Sequence, residues 1–135
     1  MHTISTLRKQ GFRMTNARKA ILFMFDQNSM PLSALDIIAF LKQSNQEVNK
    51  STVYREINFL IKKHILKQLF LAGGVAYYEP ADRNHHHHVV CNSCGKIEGV
   101  SLNKEKMLIS EAQKRSSYKI EDHSLTFYGA CKQCQ

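Results

Sequence analysis

Two C-x-x-C pairs, Cys91 with Cys94 and Cys131 with Cys134, constrain this chain more than any other feature. Four consecutive histidines and two valines lead into the first pair, so that residues 84–94 read N-H-H-H-H-V-V-C-N-S-C. A C-x-x-C turn presents two sulfurs to one point, and two such turns complete the tetrahedral shell that zinc prefers. Thirty-six residues separate Cys94 from Cys131, more than a minimal zinc ribbon uses, so the intervening loop must carry structure of its own. A thioredoxin-like redox pair needs only one C-x-x-C, at a helix start, and a disulfide framework belongs to exported chains. The first residues lack the basic start and apolar core of a signal peptide, and the longest apolar run, 20–25, is far short of a membrane span. The expectation is a cytoplasmic protein with structural Zn(II) and no membrane partner.

The histidine run has its own geometry. In a strand successive side chains point to opposite faces, so His85 and His87 look one way and His86 and His88 the other. One run can therefore furnish two separate metal sites. Imidazole favours zinc, iron, nickel or copper, and added carboxylates move preference towards Fe(II) or Mn(II) without excluding Zn(II). Glu79, Glu98, Glu105 and His123 are the acids and imidazole near enough to join.

The net charge of +8 points to a polyanionic partner, and it is concentrated. Residues 1–80 carry eleven Lys or Arg against five Asp or Glu, whereas residues 81–135 carry eight against six. Thr15 can cap a helix in which Ala17, Ala20, Ile21, Met24 and Phe25 recur at three and four residues, to about residue 27. Ser33 with Asp36 resembles a capping box for a second helix that buries Ile37, Ile38 and Leu41. Residues 50–64 are strongly amphipathic: Val53, Ile57, Leu60, Ile61 and His64 share one face, and Ser51, Arg55, Asn58 and Lys62 the other. Residues 66–71 and 75–79 then flank an Ala72-Gly73-Gly74 turn as a hairpin. Three helices followed by a hairpin is the order of a winged helix-turn-helix, with 50–64 as its recognition helix and double-stranded DNA as its partner. Beyond a polar link, 86–91 and 96–100 read as strands, 103–115 as a helix and 118–128 as strand material.

The sequence resembles the ferric uptake regulator (Fur) family of metal-responsive repressors. G-F-R-M-T-N-A-R (11–18), S-T-V-Y-R-E-I-N (51–58), H-H-H-H-V-V-C-N-S-C-G-K (85–96) and H-S-L-T-F-Y-G-A-C (123–131) carry the resemblance, which runs from Gly11 to Cys134. It implies an α+β chain: a winged-helix domain in 1–80, a hinge in 81–84, and a small α/β zinc-stabilised dimerisation domain in 85–135. It also sorts the ligands. Structural zinc would use Cys91, Cys94, Cys131 and Cys134, a site within the dimerisation domain His85, His87, Glu105 and His123, and a regulatory hinge site Glu79, His86, His88 and Glu98. Fe(II), Mn(II) or Zn(II) would be the regulatory ion. Glu98 and Glu105 each lie one residue nearer Cys94 than many family members place them, and a single deletion restores both. Pro31 stands where many members carry a further histidine ligand.

The resemblance places Tyr54 and Arg55 at the major groove with Ser51, Thr52 and Asn58 beside them, and Arg13 and Arg18 by the DNA backbone. The implied activity is metal-responsive repression of metal homeostasis genes by a homodimer on palindromic A·T-rich operators. A peroxide- or zinc-responsive member of the same family is the near alternative, and a metal-storage or thiol-redox module leaves the basic half unexplained. H-E-x-x-H and H-x-E signatures are absent, which speaks against a zinc hydrolase or deaminase and against a small organic substrate.

Overall fold

A computed structural model of the chain describes residues 2–71 and 73–135. They fall into two compact units, 1–83 and 84–135. The first contains α1 (His2–Lys9), α2 (Asn16–Gln27), β1 (Leu32–Ser33), α3 (Ala34–Gln43), α4 (Lys50–Lys62), β2 (Leu66–Phe70) and β3 (Ala76–Pro80). The second contains β4 (His87–Cys91), β5 (Ile97–Val100), α5 (Glu105–Lys114) and β6 (Thr126–Gly129).

Local chemistry sets the N-terminal helix starts. Thr15 accepts the Arg18 backbone N–H through its side chain at 3.1 Å, and Asn49 does the same for Thr52 at 2.8 Å. Ser33 and Asp36 form the reciprocal capping box: Asp36 accepts the Ser33 N–H at 2.7 Å and Ser33 Oγ accepts the Asp36 N–H at 3.2 Å. α4 ends two residues earlier than its periodicity predicts. Lys63 caps it and His64 turns to φ 54°, so His64 is exposed rather than packed with Ile57 and Leu60. The early helix α1 closes on Gly11 at φ 82°, where the Gly11 and Phe12 N–H groups donate to the Arg8 and Leu7 carbonyls at 3.0 Å, a C-terminal cap that the sequence reading passed over. Its hold on the unit is tertiary: Leu7 is buried in a core with Ile21, Phe25, Ile37, Leu41, Val53, Ile57, Leu60 and Leu66.

The sheet of this unit has the order β1-β3-β2, all antiparallel, and β2 with β3 forms the wing. Gly73 and Gly74 both take positive φ in the wing turn, while Ala72 lies outside the described residues. This is the winged-helix order, with β1 added by two residues pairing Leu32 and Ser33 to Tyr78 and Tyr77.

The second unit is a three-stranded sheet of order β5-β4-β6, in which β4 pairs antiparallel to β5 and parallel to β6. Of the expected 118–128 strand segment only 126–128 enters the sheet, as part of β6. The buried apolar residues of this unit are few, Val90, Cys91 and Ile97, and α5 buries none of its residues. So small a core needs help from metal or a partner chain.

Candidate metal centres and nucleic-acid face

Cys91 ends β4, where its N–H donates to the Lys96 carbonyl at 2.9 Å and its own carbonyl accepts the Gly95 N–H at 2.9 Å. Gly95 closes this tight knuckle at φ 75°, a conformation that side chains rarely adopt. Asn92 N–H reaches the Gly129 carbonyl at 2.8 Å, which brings the end of β6 and the second C-x-x-C alongside the first. All four cysteines are free thiols, with sulfurs mutually within 4.8 Å. Cys94 and Cys131 sulfurs lie 3.7 Å apart, close to the roughly 3.8 Å edge of a tetrahedron with Zn–S bonds of about 2.3 Å. The donor set and spacing fit zinc.

The electrostatics point the same way. The backbone N–H of Cys131 donates to Cys91 Sγ at 3.3 Å, and this contact, with a further one from Cys94, lowers the Cys91 thiol to about 6. Cys134 is pushed up to about 12, first by its hydrogen bond with Cys131 and then by those with Cys94 and Cys91. Four thiols sharing one space cannot all ionise unless a cation sits among them.

The second cluster gathers around Glu105, the first residue of α5. Its Oε1 lies 2.7 Å from His85 Nε2 and 3.0 Å from His87 Nε2, and His123 Nε2 meets the same oxygen. Burial raises the Glu105 carboxyl, but hydrogen bonds from His85 and His87 outweigh that and hold it below its ordinary value. His85 and His87 Nε2 atoms are 3.2 Å apart, within the roughly 3.0–3.4 Å separating neighbouring ligands of an ion at about 2.1 Å. Three imidazoles and one carboxylate therefore converge as a first-row divalent ion requires. His86 and His88 form a separate pair with ring centroids 4.7 Å apart. The alternation along the histidine run holds even though β4 proper begins only at His87.

In the first unit α4 buries Val53, Ile57 and Leu60 and leaves Ser51, Tyr54, Arg55 and Asn58 exposed, with Thr52 half-buried. Tyr54 is 39% exposed, so it is not absorbed into the core. Among the described residues Arg55 donates to Thr52 Oγ1 of its own helix, at 3.5 Å, and Arg13 is exposed ahead of α2.

The sequence model of the ferric uptake regulator family matches residues 9–128. The chain belongs to this family. It is 31% identical over 133 residues to the ferric uptake regulation protein of Neisseria gonorrhoeae, covering 98% of this chain and 92% of that one. The solved structure of the Helicobacter pylori regulator Fur, described as having three functional metal-binding sites, is similar with a TM-score of 0.81 at 26% identity, over 98% of this chain and 89% of that one. The Francisella tularensis regulator, solved with iron, gives a TM-score of 0.81 at 30% identity, over 92% and 95%. Members of the Fur family are metal-responsive transcription regulators, and this chain is one of them.

Two residues of this Fur-family chain stand elsewhere than its sequence suggests. Glu98 pairs with Val89, and Gly99 pairs with His88. Directly opposed residues of an antiparallel pair share a face, so Glu98 lies on the face of Val89 and His87, away from His88. It is 65% exposed and ion-paired to Lys96 at 3.0 Å. The C-x-x-C-G knuckle fixes this register at residues 91–96, so the deletion that would bring Glu98 to His88 has nowhere to be absorbed. Gly99 takes the place instead, and a Cβ there would meet His86 Cδ2 at 3.3 Å.

Arg18 is the other. Its Nε and Nη2 donate to Glu56 at 2.8 and 3.1 Å, its Nη1 donates to the Arg13 carbonyl at 2.7 Å, and its side chain is 11% exposed. Arg18 joins α2 to α4 and is not presented to DNA. Sequence reasoning also missed Lys67 and Arg83, which lie 3.0 and 3.8 Å from the fully buried Glu79 carboxylate. A charge that cannot be solvated must have partners, and that is the signal that could have found them.

Proposed function

We propose that the chain acts in the cytoplasm as a homodimeric repressor of metal homeostasis genes, reading palindromic A·T-rich operators through Tyr54, Arg55, Ser51, Thr52 and Asn58. The observation that carries this is α4: one face is completely used by the core and the other displays these side chains from a basic winged helix. Arg55 suits a bidentate contact to guanine, Tyr54 a thymine methyl group or phosphate, and Arg13 an A·T-rich minor groove. The uncovered apolar side chains of the second unit support the homodimer. Met107, Leu108, Val89 and Phe127 are exposed among the described residues, and a second copy would bury them. Two copies would read two half-sites about one helical turn apart.

Cys91, Cys94, Cys131 and Cys134 would hold structural Zn(II), which supplies a cross-link between β4 and the chain end when bound. His85, His87, Glu105 and His123 would hold Fe(II), Mn(II) or Zn(II). Of the residues expected at the regulatory hinge site, Glu98 faces away from His88 and would not join His86 and His88 as a ligand. For metal to regulate, it must bind the DNA-binding arrangement more tightly than the other. The test is a binding titration of a palindromic A·T-rich duplex and a scrambled one, using chain that retains its cysteine zinc, before and after adding Mn(II), Fe(II) or Zn(II). A preference for the palindrome supports the regulator; equal binding to both duplexes under every metal would sink it.

A further inference from the structure

Arg83 is the last residue of the N-terminal unit, and its guanidinium is engaged on two sides. Nη1 donates to the Ser29 carbonyl at 2.5 Å, and Nη2 donates to the carbonyl of Asn28. Nη1 also lies 3.8 Å from Glu79 Oε2. These carbonyls close the C-terminal end of α2, where Asn28 is the cap and its side chain donates to the Met24 carbonyl at 2.8 Å. A helix C-terminus carries unsatisfied carbonyls and partial negative charge, and α2 has no basic residue in its own last turn. Arg83 supplies that cation from 54 and 55 residues away in sequence.

The carboxylate on its other side is demanding. Glu79 has no exposed surface, and an unpaired buried carboxylate is costly. Lys67, directly opposite on β2, and Arg83 together give it two cationic neighbours from within the unit. The loop that Arg83 grips is the one that ends in Pro31, a residue whose side chain offers no donor. Arg83 thus holds this loop through its backbone carbonyls.

We infer that Arg83 is a positioning residue for DNA binding: it fixes the end of the wing and the start of the linker to the α2 end without metal, so that part of the DNA-binding arrangement is built in. This rests on the regulator reading above. A metal ion that takes Glu79 must then compete with Lys67 and Arg83 rather than fill an empty place, and the metal response of the chain is correspondingly shallow. The guanidinium fork is essential to this role, because its two terminal nitrogens reach two carbonyls at once; a lysine carries the charge but not the fork.

The experiment uses the full chain with its cysteine zinc, as wild type, Arg83→Ala and Arg83→Lys. Fluorescence anisotropy reads the affinity for the palindromic and scrambled duplexes with and without saturating Mn(II), and hydrogen exchange reads the amides of 79–84. For wild type, Mn(II) is expected to tighten palindrome binding by less than about tenfold. Arg83→Ala should weaken metal-free binding by roughly tenfold, speed exchange of 79–84, and regain most of its affinity with Mn(II). Arg83→Lys should fall between the two. If Arg83→Ala loses the same factor with and without Mn(II), Arg83 is only structural and the inference is overturned. No change in either condition overturns it equally. Absence of palindrome preference in the wild type itself is a different failure, that of the regulator reading, and removes the inference with it.

Discussion

Arg18 and Glu56 grip each other from α2 and α4 with hydrogen bonds of 2.8 and 3.1 Å, while the same guanidinium lies 3.9 Å over the Phe59 ring. The pair is mostly shielded from water, so its loss leaves a shielded carboxylate without its arginine. Arg18→Ala should therefore lower stability by about 2 kcal/mol in urea unfolding. Arg18→Ala with Glu56→Ala should cost less than the two single changes added together, as expected for a coupled pair. A drop in DNA affinity with unchanged stability would instead return Arg18 to the DNA face.

Arg55 makes the opposite case. Its side chain is exposed and donates to Thr52 on the same helix. Arg55→Ala should weaken palindrome binding by about 1–3 kcal/mol while unfolding midpoint and zinc content stay unchanged. Unfolding of the winged helix by this change would show that the two faces of α4 have been misjudged.

The register of β4 and β5 separates Glu98 from Gly99. Glu98→Ala should leave Mn(II) affinity unaltered in calorimetric titration, because its carboxylate is on the far face from His88 and meets Lys96 in solvent. Gly99→Glu would put a carboxylate on the face of His88. After the His86 ring has shifted to relieve the 3.3 Å approach, this should tighten Mn(II) binding by about tenfold. A reversed ranking of these two variants would show the strand register to be wrong.

Zinc removal should act on one unit. Cys91→Ser, or a strong chelator, removes the tie between β4 and the end of the chain, a site of the kind that contributes roughly 10 kcal/mol or more. The expected outcome is loss of one zinc per chain, measured by atomic absorption, and collapse of hydrogen-exchange protection in 87–91 and 126–129. Protection in 53–60, within the core of the other unit, should persist. Uniform loss of protection across both units would contradict the separation of their cores.

The grouping of the cysteine and histidine side chains and the starts of α2 and α3 were legible in the sequence because each depends on neighbours. The Ser33–Asp36 box spans three residues, C-x-x-C folds on itself, and His85 and His87 point one way and His86 and His88 the other, as strand alternation predicts, although β4 itself begins at His87. The amphipathic faces of α4 are equally local, fixed by 3.6 residues per turn. Helix α1 escaped notice because its one cap signal is the glycine at its end, Gly11, and its hold is the burial of Leu7 among residues from other helices.

What only the tertiary structure decided are pairings between distant residues. Arg18 finds Glu56 across 38 positions and Arg83 finds Asn28 across 55. An arginine that folding spends on an internal partner looks, in sequence, the same as one offered to DNA. Likewise Glu98 and Gly99 are adjacent in the chain, and only the hydrogen-bond register of β5 on β4 sends one away from His88 and the other towards it. A shift of one residue exchanges the faces of a whole strand, and that choice is made by the partner strand and the knuckle beside it, not by the residues themselves.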